Sequence, residues 1–184
     1  DSKEFILITE SGEDTIVLCD SCDYAANDEK AEFKRLSNQI ESPGAMERVD
    51  TPGIKTIDQL SDYMGVGNHK TIKAVFYLAD SEIIFVAIRG DLEVNEVKLK
   101  NCLGVSELRL ATPEEVSEAG LVAGSASPGG VEGFRVISDH SMRLGYNLIA
   151  GANTEGYHLK NVNFPRDFKS DIESDIALAE EGHQ

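Results

Sequence analysis

Runs of β-branched and aromatic residues, separated by turn residues, predict a chain built mostly from short strands. The longest run extends from position 71 to position 88 and is broken only by Asp80-Ser81, so it predicts a two-stranded hairpin. Similar runs predict another hairpin at 5–10 and 15–19, and further strands at 107–111, 134–137 and 148–150.

Helices are predicted where a capping residue precedes a helical pattern. Thr56 is placed to cap a helix ending at Met64, with Gly65 directly after it. Thr112, followed by Pro113 and two acidic residues, predicts another helix start. Further helices are predicted at 24–36, 93–101 and 139–144. Because strands and helices alternate irregularly and include hairpins, we expect an α/β (α+β) fold with a mixed, largely antiparallel sheet flanked by helices.

Composition limits the class of protein. A chain of 184 residues can bury one sizeable core. No apolar run of membrane-spanning length and no signal-peptide pattern is present, so no membrane association is expected. Three cysteines are too few for a secreted disulfide scaffold, which favours a cytoplasmic location.

The net charge of −16 argues against nucleic-acid binding, but the charge is uneven along the chain. Residues 1–48 hold 12 acids and 5 bases, and residues 167–184 hold 6 acids and 1 base. The middle of the chain therefore carries only −4, which leaves room for a local basic patch.

A dense polar cluster follows the predicted hairpin, with six charged or amide side chains between positions 89 and 98. This density favours a strand end that presents polar groups to a ligand. Glu93 and Glu96 have the spacing of an acid pair or of metal ligands, but no His or Cys cluster accompanies them. We therefore expect no metal site here and favour capping and ion-pair roles.

Four other features could carry chemistry, although none of them alone is a strong signal. Lys73 lies on a strand and, taken alone, is more typical of a solvent-facing lysine. A single histidine such as His158 more often serves packing than catalysis. The segment 124–130, here called the glycine loop, has three glycines that allow close approach of a backbone to a substrate. Cys19 and Cys22 form at most half of a zinc site or a redox pair.

Three segments, taken in order, resemble the editing (insertion) domain of bacterial prolyl-tRNA synthetases, which belongs to the YbaK-like aminoacyl-tRNA deacylases. They are the run R-G-D-x-E-x-N-E-x-K-L at 89–99, the glycine loop, and G-A-N-T-E-G-Y-H at 151–158, which continues to Asn163 and Arg166-Asp167. The resemblance implies a YbaK-like sheet or partial barrel. It also implies an editing domain at 46–167, an N-terminal hairpin and helix at 1–45 left from the synthetase catalytic domain and its linker, and an acidic linker at 168–184.

The same resemblance implies roles for individual residues. Lys73 and His158 match catalytic positions, and we expect them to share one cleft with the glycine loop. The implied substrate-binding residues are Gly124, Ser127, Gly129, Gly130, Asn153, Arg89, Asp91, Asn95 and Asp139. The loop departs from the G-S-L-G-P version of many relatives, having Ala126, Pro128 and Gly130 at the matching places. This departure bears on which amino acid is accepted.

The implied reaction is hydrolysis of the ester that joins alanine to the 3′ end of proline tRNA. No cofactor is expected for editing, since ATP and Mg²⁺ serve the ligase domain, which this sequence lacks. The implied partners are the charged tRNA and the rest of a synthetase chain that forms a homodimer. A related C-P-x-C run beyond this sequence would supply the zinc partner of Cys19 and Cys22. Two alternatives stay open: a free-standing trans-editing deacylase of another mischarged tRNA, and a non-catalytic tRNA-interaction module.

Overall fold

The computed structural model describes residues 15–183, which form short strands interspersed with a few short helices. The helices are α1 (Ile57–Met64), α2 (Glu96–Leu103) and α3 (Pro113–Glu118), with 3₁₀ turns at Asn68–Lys70 and His140–Leu144. The strands are β1 (Ile16–Leu18), β2 (Ala25–Asn27), β3 (Glu47–Asp50), β4 (Ile72–Ala79), β5 (Glu82–Arg89), β6 (Leu108–Leu110), β7 (Arg135–Asp139), β8 (Leu148–Gly151), β9 (Tyr157–Val162) and β10 (Ile172–Ser174). None of the helices in this part of the chain is long and apolar enough to cross a lipid bilayer.

Two sheets form the body of the molecule. The larger has the order β10-β7-β5-β4-β6 and the smaller has the order β3-β9-β8. Pairing is antiparallel except between β5 and β7 and between β7 and β10. A parallel bridge between Thr71 and Ile149 joins the two sheets, which do not close into a barrel within residues 15–183. The predicted mixed, largely antiparallel sheet flanked by helices is confirmed.

Alternation along the strands gives the larger sheet two buried faces. One, here called the α2 face, carries Val75, Val86 and Ile137, which pack together with Leu99 of α2. The opposite face carries Ile72, Phe76, Phe85 and Val136, which pack with Met142, Leu148 and Val162. Both faces are covered, which explains the nearly continuous apolar sequence of β4 and β5.

The helix ends match the sequence signals. Thr56 and Gln59 form a capping box at the start of α1, and Gly65 ends it in the left-handed conformation with φ 66°. Thr112 caps α3, and Pro113 occupies its first turn. α2 starts at Glu96 rather than at position 93, because Asn95 caps it.

The predicted helix at 24–36 is wrong. This segment contains β2, which pairs with β1, and then continues without regular structure. Its residues gain tertiary contacts instead: Ala31 is fully buried, and its carbonyl oxygen accepts a hydrogen bond from Lys98 at 2.6 Å. Helix propensity is a weak preference that such contacts override. The predicted strand at 15–19 is present as β1, which pairs with β2. The predicted strand at 5–10, and with it the predicted pairing of these two segments, lies outside the described residues.

The segment expected to be an acidic linker, 168–184, packs against the domain as far as the structure describes it. β10 pairs with β7, and both Ile176 and Ala177 are fully buried. Acidic residues flank the apolar run at 176–179, so composition alone conceals the buried part of the segment. The described part of this segment therefore packs as part of the fold, and its role as a linker stays a prediction.

Candidate functional site

Strand register brings the two predicted catalytic residues to one face of the sheet. The bridge between Thr71 and Ile149 aligns β8 with β4, so Gly151 comes level with Lys73 two residues further along both strands. Gly151 is paired in turn with His158 of β9. Directly paired residues project to the same side of a sheet. Lys73, Gly151 and His158 therefore share the α2 face, although they come from distant parts of the sequence.

The same line continues across the other half of the sheet. Lys73 is paired with Ile88 of β5, and the parallel register of β5 and β7 places Asp139 next to Ile88. We call the line Asp139, Ile88, Lys73, Gly151 and His158 the cross-strand row. It collects three of the predicted site residues from three different strands.

Lys73 is held by acceptors from the segment that follows β5. Its ammonium donates to the carbonyl oxygen of Leu92 at 2.9 Å and to the carboxylate of Glu93 at 2.5 Å. The Lys73 side chain is 19% exposed, whereas that of Glu93 is 60% exposed. The Lys73 ammonium is therefore partly buried, whereas the Glu93 carboxylate that neutralises it is at the surface.

The glycine loop reaches the row at Gly151. A Cβ atom at Gly151 would lie 2.2 Å from the carbonyl oxygen of Ser125 and 2.3 Å from that of Ala126, so only glycine allows this contact. The Ala126 side chain packs into the core of the opposite face, so the loop wraps around the end of β8. The loop thus adjoins the face that carries Lys73 and His158, as the sequence analysis predicts.

Asn153 fixes the shape of the glycine loop. Its backbone nitrogen donates to the Ser125 carbonyl oxygen at 2.8 Å. Its side-chain oxygen accepts from the Ser127 backbone nitrogen at 2.7 Å, and its side-chain nitrogen donates to the Gly129 carbonyl oxygen at 2.8 Å. Gly124 and Gly130 adopt the left-handed conformation, with φ 77° and 80°. Predicted residues of this loop and Asn153 therefore form one hydrogen-bonded unit.

His158 is buried, and within residues 15–183 its ring has one hydrogen-bond partner. Its Nδ1 atom lies 2.6 Å from the hydroxyl oxygen of Thr51, and the residue is 4% exposed. Burial lowers the pKa of His158, because desolvation disfavours the imidazolium form. The neutral ring is thus favoured, and its hydrogen bond to Thr51 fixes the ring orientation.

Asp139, at the far end of the row, is enclosed by hydrogen-bond donors of the protein itself. Its carboxylate accepts from Arg35 at 3.1 and 3.0 Å and from the backbone amides of Ser141 and Ile176 at 2.8 and 3.1 Å. Its side chain is fully buried. These internal groups occupy both carboxylate oxygens, and the expected contact with a substrate stays a prediction.

Asp139 belongs to a larger buried ion cluster. Arg35 also binds Asp175, which in turn accepts from Lys98 at 3.0 Å. Burial raises the pKa of Asp175, but the hydrogen bonds from Lys98 and Arg35 lower it more, so the net shift is downward. We call Arg35, Asp139, Asp175 and Lys98 the ionic clasp. It joins the N-terminal segment, β7, the C-terminal segment and α2.

Three other predicted substrate-binding residues also have internal roles. Arg89 is 5% exposed, and it donates to Asp91 at 2.6 and 2.9 Å and to the carbonyl oxygen of Leu36 at 2.6 Å. Asn95, also 5% exposed, caps α2 and donates to the carbonyl oxygen of Asp28 at 3.0 Å. Arg89 and Asn95 thus connect segments of the chain near the site, whereas the Asp91 side chain is 33% exposed and pairs with Arg89. Substrate binding by these three residues stays a prediction.

Sequence reasoning missed three residues that shape the site. Gly151 could have been recognised, since a glycine that ends an apolar strand often marks close backbone approach. Glu93 was expected to form an ion pair, but its partner Lys73 is 20 positions away in sequence. Nothing in the local sequence links Thr51 with His158. Within residues 15–183 no three His, Cys, Asp or Glu residues gather as a potential metal site.

Comparisons with known sequences match the chain to one domain family and to one type of enzyme that contains it. The family model of the aminoacyl-tRNA editing domain matches residues 51–168. A proline–tRNA ligase of Dehalococcoides mccartyi is 51% identical over 98% of this chain, and one of Halothermothrix orenii is 44% identical over 100% of it. The chain spans only 32% and 33% of the lengths of these relatives.

Solved structures share the fold at low sequence identity. A hypothetical protein gives a TM-score of 0.65 at 18% identity and covers 72% of this chain and 91% of its own. A proposed trans-editing enzyme for prolyl-tRNA synthetase gives 0.63 at 18% identity and covers 73% of this chain and 87% of its own. At this identity the likeness shows the fold alone.

Proposed function

The chain belongs to the aminoacyl-tRNA editing domain family, in the form that proline–tRNA ligases carry, and we propose that it hydrolyses the ester between alanine and the 3′ end of proline tRNA. The observation that carries this proposal is the cross-strand row. It places a cation at Lys73, a neutral imidazole at His158 and the glycine loop on one face of the sheet.

The need for such a reaction follows from the limits of binding selectivity. A pocket built for proline cannot strongly exclude the smaller alanine, because each missing methylene changes the binding free energy by only about 1–3 kcal/mol. A second site that is too small for proline can remove the wrong product. The glycine loop, tied by Asn153 through Ser127 and Gly129, supplies a wall of small residues for this purpose.

The proposed chemistry requires few groups. A water molecule attacks the ester carbonyl carbon, the bond to the ribose oxygen breaks, and the products are free alanine and a tRNA with a free 3′ hydroxyl. Lys73 stabilises negative charge on the ester or on the terminal phosphate, and amides of the glycine loop stabilise the developing oxyanion. Neutral His158 lines the pocket, where Thr51 fixes its orientation.

The proposal extends to cofactors, partners and location. We propose that editing uses water and the groups of this domain without a cofactor, whereas ATP and Mg²⁺ serve ligation elsewhere in a longer enzyme. The partners would be alanine-charged proline tRNA and the rest of a synthetase chain that forms a homodimer. The location would be the cytoplasm. The match to about one third of each ligase supports only the part of this proposal that sets the domain in a longer synthetase chain.

A deacylation assay with alanyl-, cysteinyl- and prolyl-tRNA tests the proposal directly. We expect rapid hydrolysis of alanyl-tRNA and survival of prolyl-tRNA, because the proline ring would collide with the glycine loop. Equal rates for alanine and proline would refute the size sieve. Preference for another mischarged tRNA would favour a trans-editing deacylase, and binding without hydrolysis would favour an interaction module.

A further inference from the structure

We infer that Glu93 is a positioning residue for Lys73: its carboxylate, together with the Leu92 carbonyl, aims the ammonium at the substrate. This inference rests on the proposed function. Both acceptors come from one short stretch directly after β5, and they lie 2.9 Å and 2.5 Å from the Lys73 nitrogen. An unbranched lysine side chain has many rotamers, so a fixed direction requires partners of this kind.

The hydrogen-bond geometry leaves room for a ligand. An ammonium group has three N–H donors. Among the residues that the structure describes, Leu92 and Glu93 accept two of them. The third donor is available for a phosphate or ester oxygen, and two fixed bonds determine its direction.

The position of Glu93 is itself fixed by the C-terminal segment. The backbone amide of Leu178 donates to the carbonyl oxygen of Glu93 at 2.9 Å, and the amide of Asn95 donates to the carbonyl oxygen of Ile176 at 2.8 Å. Val94 and Ala177 form an antiparallel bridge between these bonds. The acceptors of Lys73 therefore belong to a small two-stranded unit rather than to a free loop.

The ion pair between Glu93 and Lys73 contributes little to the stability of the fold. Its side chain is 60% exposed, and ion pairs of this exposure contribute little to folding free energy because water screens them. Orientation of a catalytic cation is a different matter, since a displacement of about 1 Å can lower a rate about 100-fold. Glu93 is thus placed to affect rate far more than stability.

The experiment measures kcat and KM for alanyl-tRNA with the wild-type domain, Glu93→Ala and Glu93→Gln. We expect Glu93→Ala to lower kcat by about 10- to 100-fold with little change in KM, because the cation loses its orientation while the tRNA contacts remain. Glu93→Gln keeps an acceptor oxygen at the same reach and should recover much of the loss. Glu173→Ala is the matched control, since it breaks an ion pair of the same 2.5 Å length with Arg143.

A double-mutant cycle distinguishes positioning from an independent role. Single-turnover assays with excess protein measure the residual rate of Lys73→Met with and without Glu93→Ala. If Glu93 acts through Lys73, its removal should cause no further loss in the Lys73→Met background. Equal further loss in both backgrounds would overturn the inference, as would a faster Glu93→Ala variant, which would show that Glu93 holds Lys73 away from the substrate.

The backbone support provides an independent arm. Leu178→Pro removes the amide that donates to Glu93, whereas Leu178→Ala keeps it. We expect a kcat loss in the proline variant that exceeds the loss in the alanine variant, provided circular dichroism shows both folded. If Leu178→Pro does not fold, the Glu93 cycle alone decides. An inactive wild-type domain would refute the proposed function, whereas an active wild type matched by Glu93→Ala would refute only the positioning role.

Discussion

Two charged residues of the cross-strand row, Asp139 at one end and Lys73 in the middle, have very different surroundings. At one end, the ionic clasp encloses Asp139 completely, and Arg35 and two backbone amides occupy its carboxylate. In the middle of the row, Lys73 is partly exposed and pairs with Glu93, whose side chain is at the surface. The Asp139 carboxylate, with both oxygens hydrogen-bonded, stabilises the fold. The Lys73 ammonium has one donor that no described residue accepts, so this donor can bind a ligand.

This contrast explains why a polar motif does not identify a site by itself. Burying charged groups is costly unless each is paired, so the fold uses polar residues to satisfy other polar residues. The buried Arg89, Asn95 and Asp139 follow this pattern. Lys73 differs because its own side chain is 19% exposed and that of its partner Glu93 is 60% exposed.

Asp139→Ala should give the largest change at the clasp end. Removing one partner of a buried ion pair leaves an unpaired charge, so we expect the free energy of unfolding to fall by about 3–5 kcal/mol. Urea denaturation measures this change. Asp175→Ala should cost less, because the Asp175 side chain is 19% exposed. A loss below about 1 kcal/mol for Asp139→Ala would show that the clasp is not a structural unit.

Lys73→Met should show the opposite profile. It keeps the apolar stem, so unfolding should change by less than about 0.5 kcal/mol. The deacylation rate should fall by about 100- to 1,000-fold, as for loss of a group that stabilises a developing charge. Lys70→Met is a matched control, because Lys70 is also 19% exposed and paired with a glutamate. Full activity of Lys73→Met would remove Lys73 from the mechanism.

Gly151→Ala tests the contact between the row and the glycine loop. The added methyl group would lie 2.2 Å from the Ser125 carbonyl oxygen, so the loop must shift, at a cost of about 1–3 kcal/mol. We expect the selectivity for alanine over proline to change together with stability. Gly44→Ala is the control, since its methyl group meets only the Asn161 side chain, at 3.0 Å. If Gly151→Ala leaves both stability and selectivity unchanged, the contact between Gly151 and the glycine loop does not matter for either.

The smallest expected effect is the pH dependence from His158. Burial lowers its pKa in the folded state, so the unfolded chain binds the proton more readily. The stability that His158 contributes is therefore present above the unfolded pKa of about 6.5 and is lost as pH falls through the folded pKa. Thermal denaturation at pH 7.5 and at steps below 6.5 measures the melting temperature. This temperature should fall less with decreasing pH for His158→Gln than for the wild-type domain. Identical declines would mean that His158 titrates normally.

The local signals in the sequence predicted those elements whose causes are themselves local. Thr56 and Thr112 cap their helices, and the turn at Asp80-Ser81 makes the β4–β5 hairpin, because capping and turn formation involve residues only a few positions apart. The prediction failed at 24–36, where buried contacts of Ala31 and Arg35 override helix propensity. At 168–184 the acidic composition concealed an apolar run at 176–179 that packs against the domain.

The sequence by itself determined the mixed strand-and-helix character of this protein, its hairpins and caps, and the motifs that resemble the editing-domain family. Only the tertiary structure decided which of the polar residues in those motifs are enclosed and which remain accessible. Lys73 and Glu93 are 20 positions apart, and Arg35 and Asp139 are 104 apart. Pairings over such distances depend on strand register and chain packing. Local propensities do not encode them, because they arise only when the whole sheet forms.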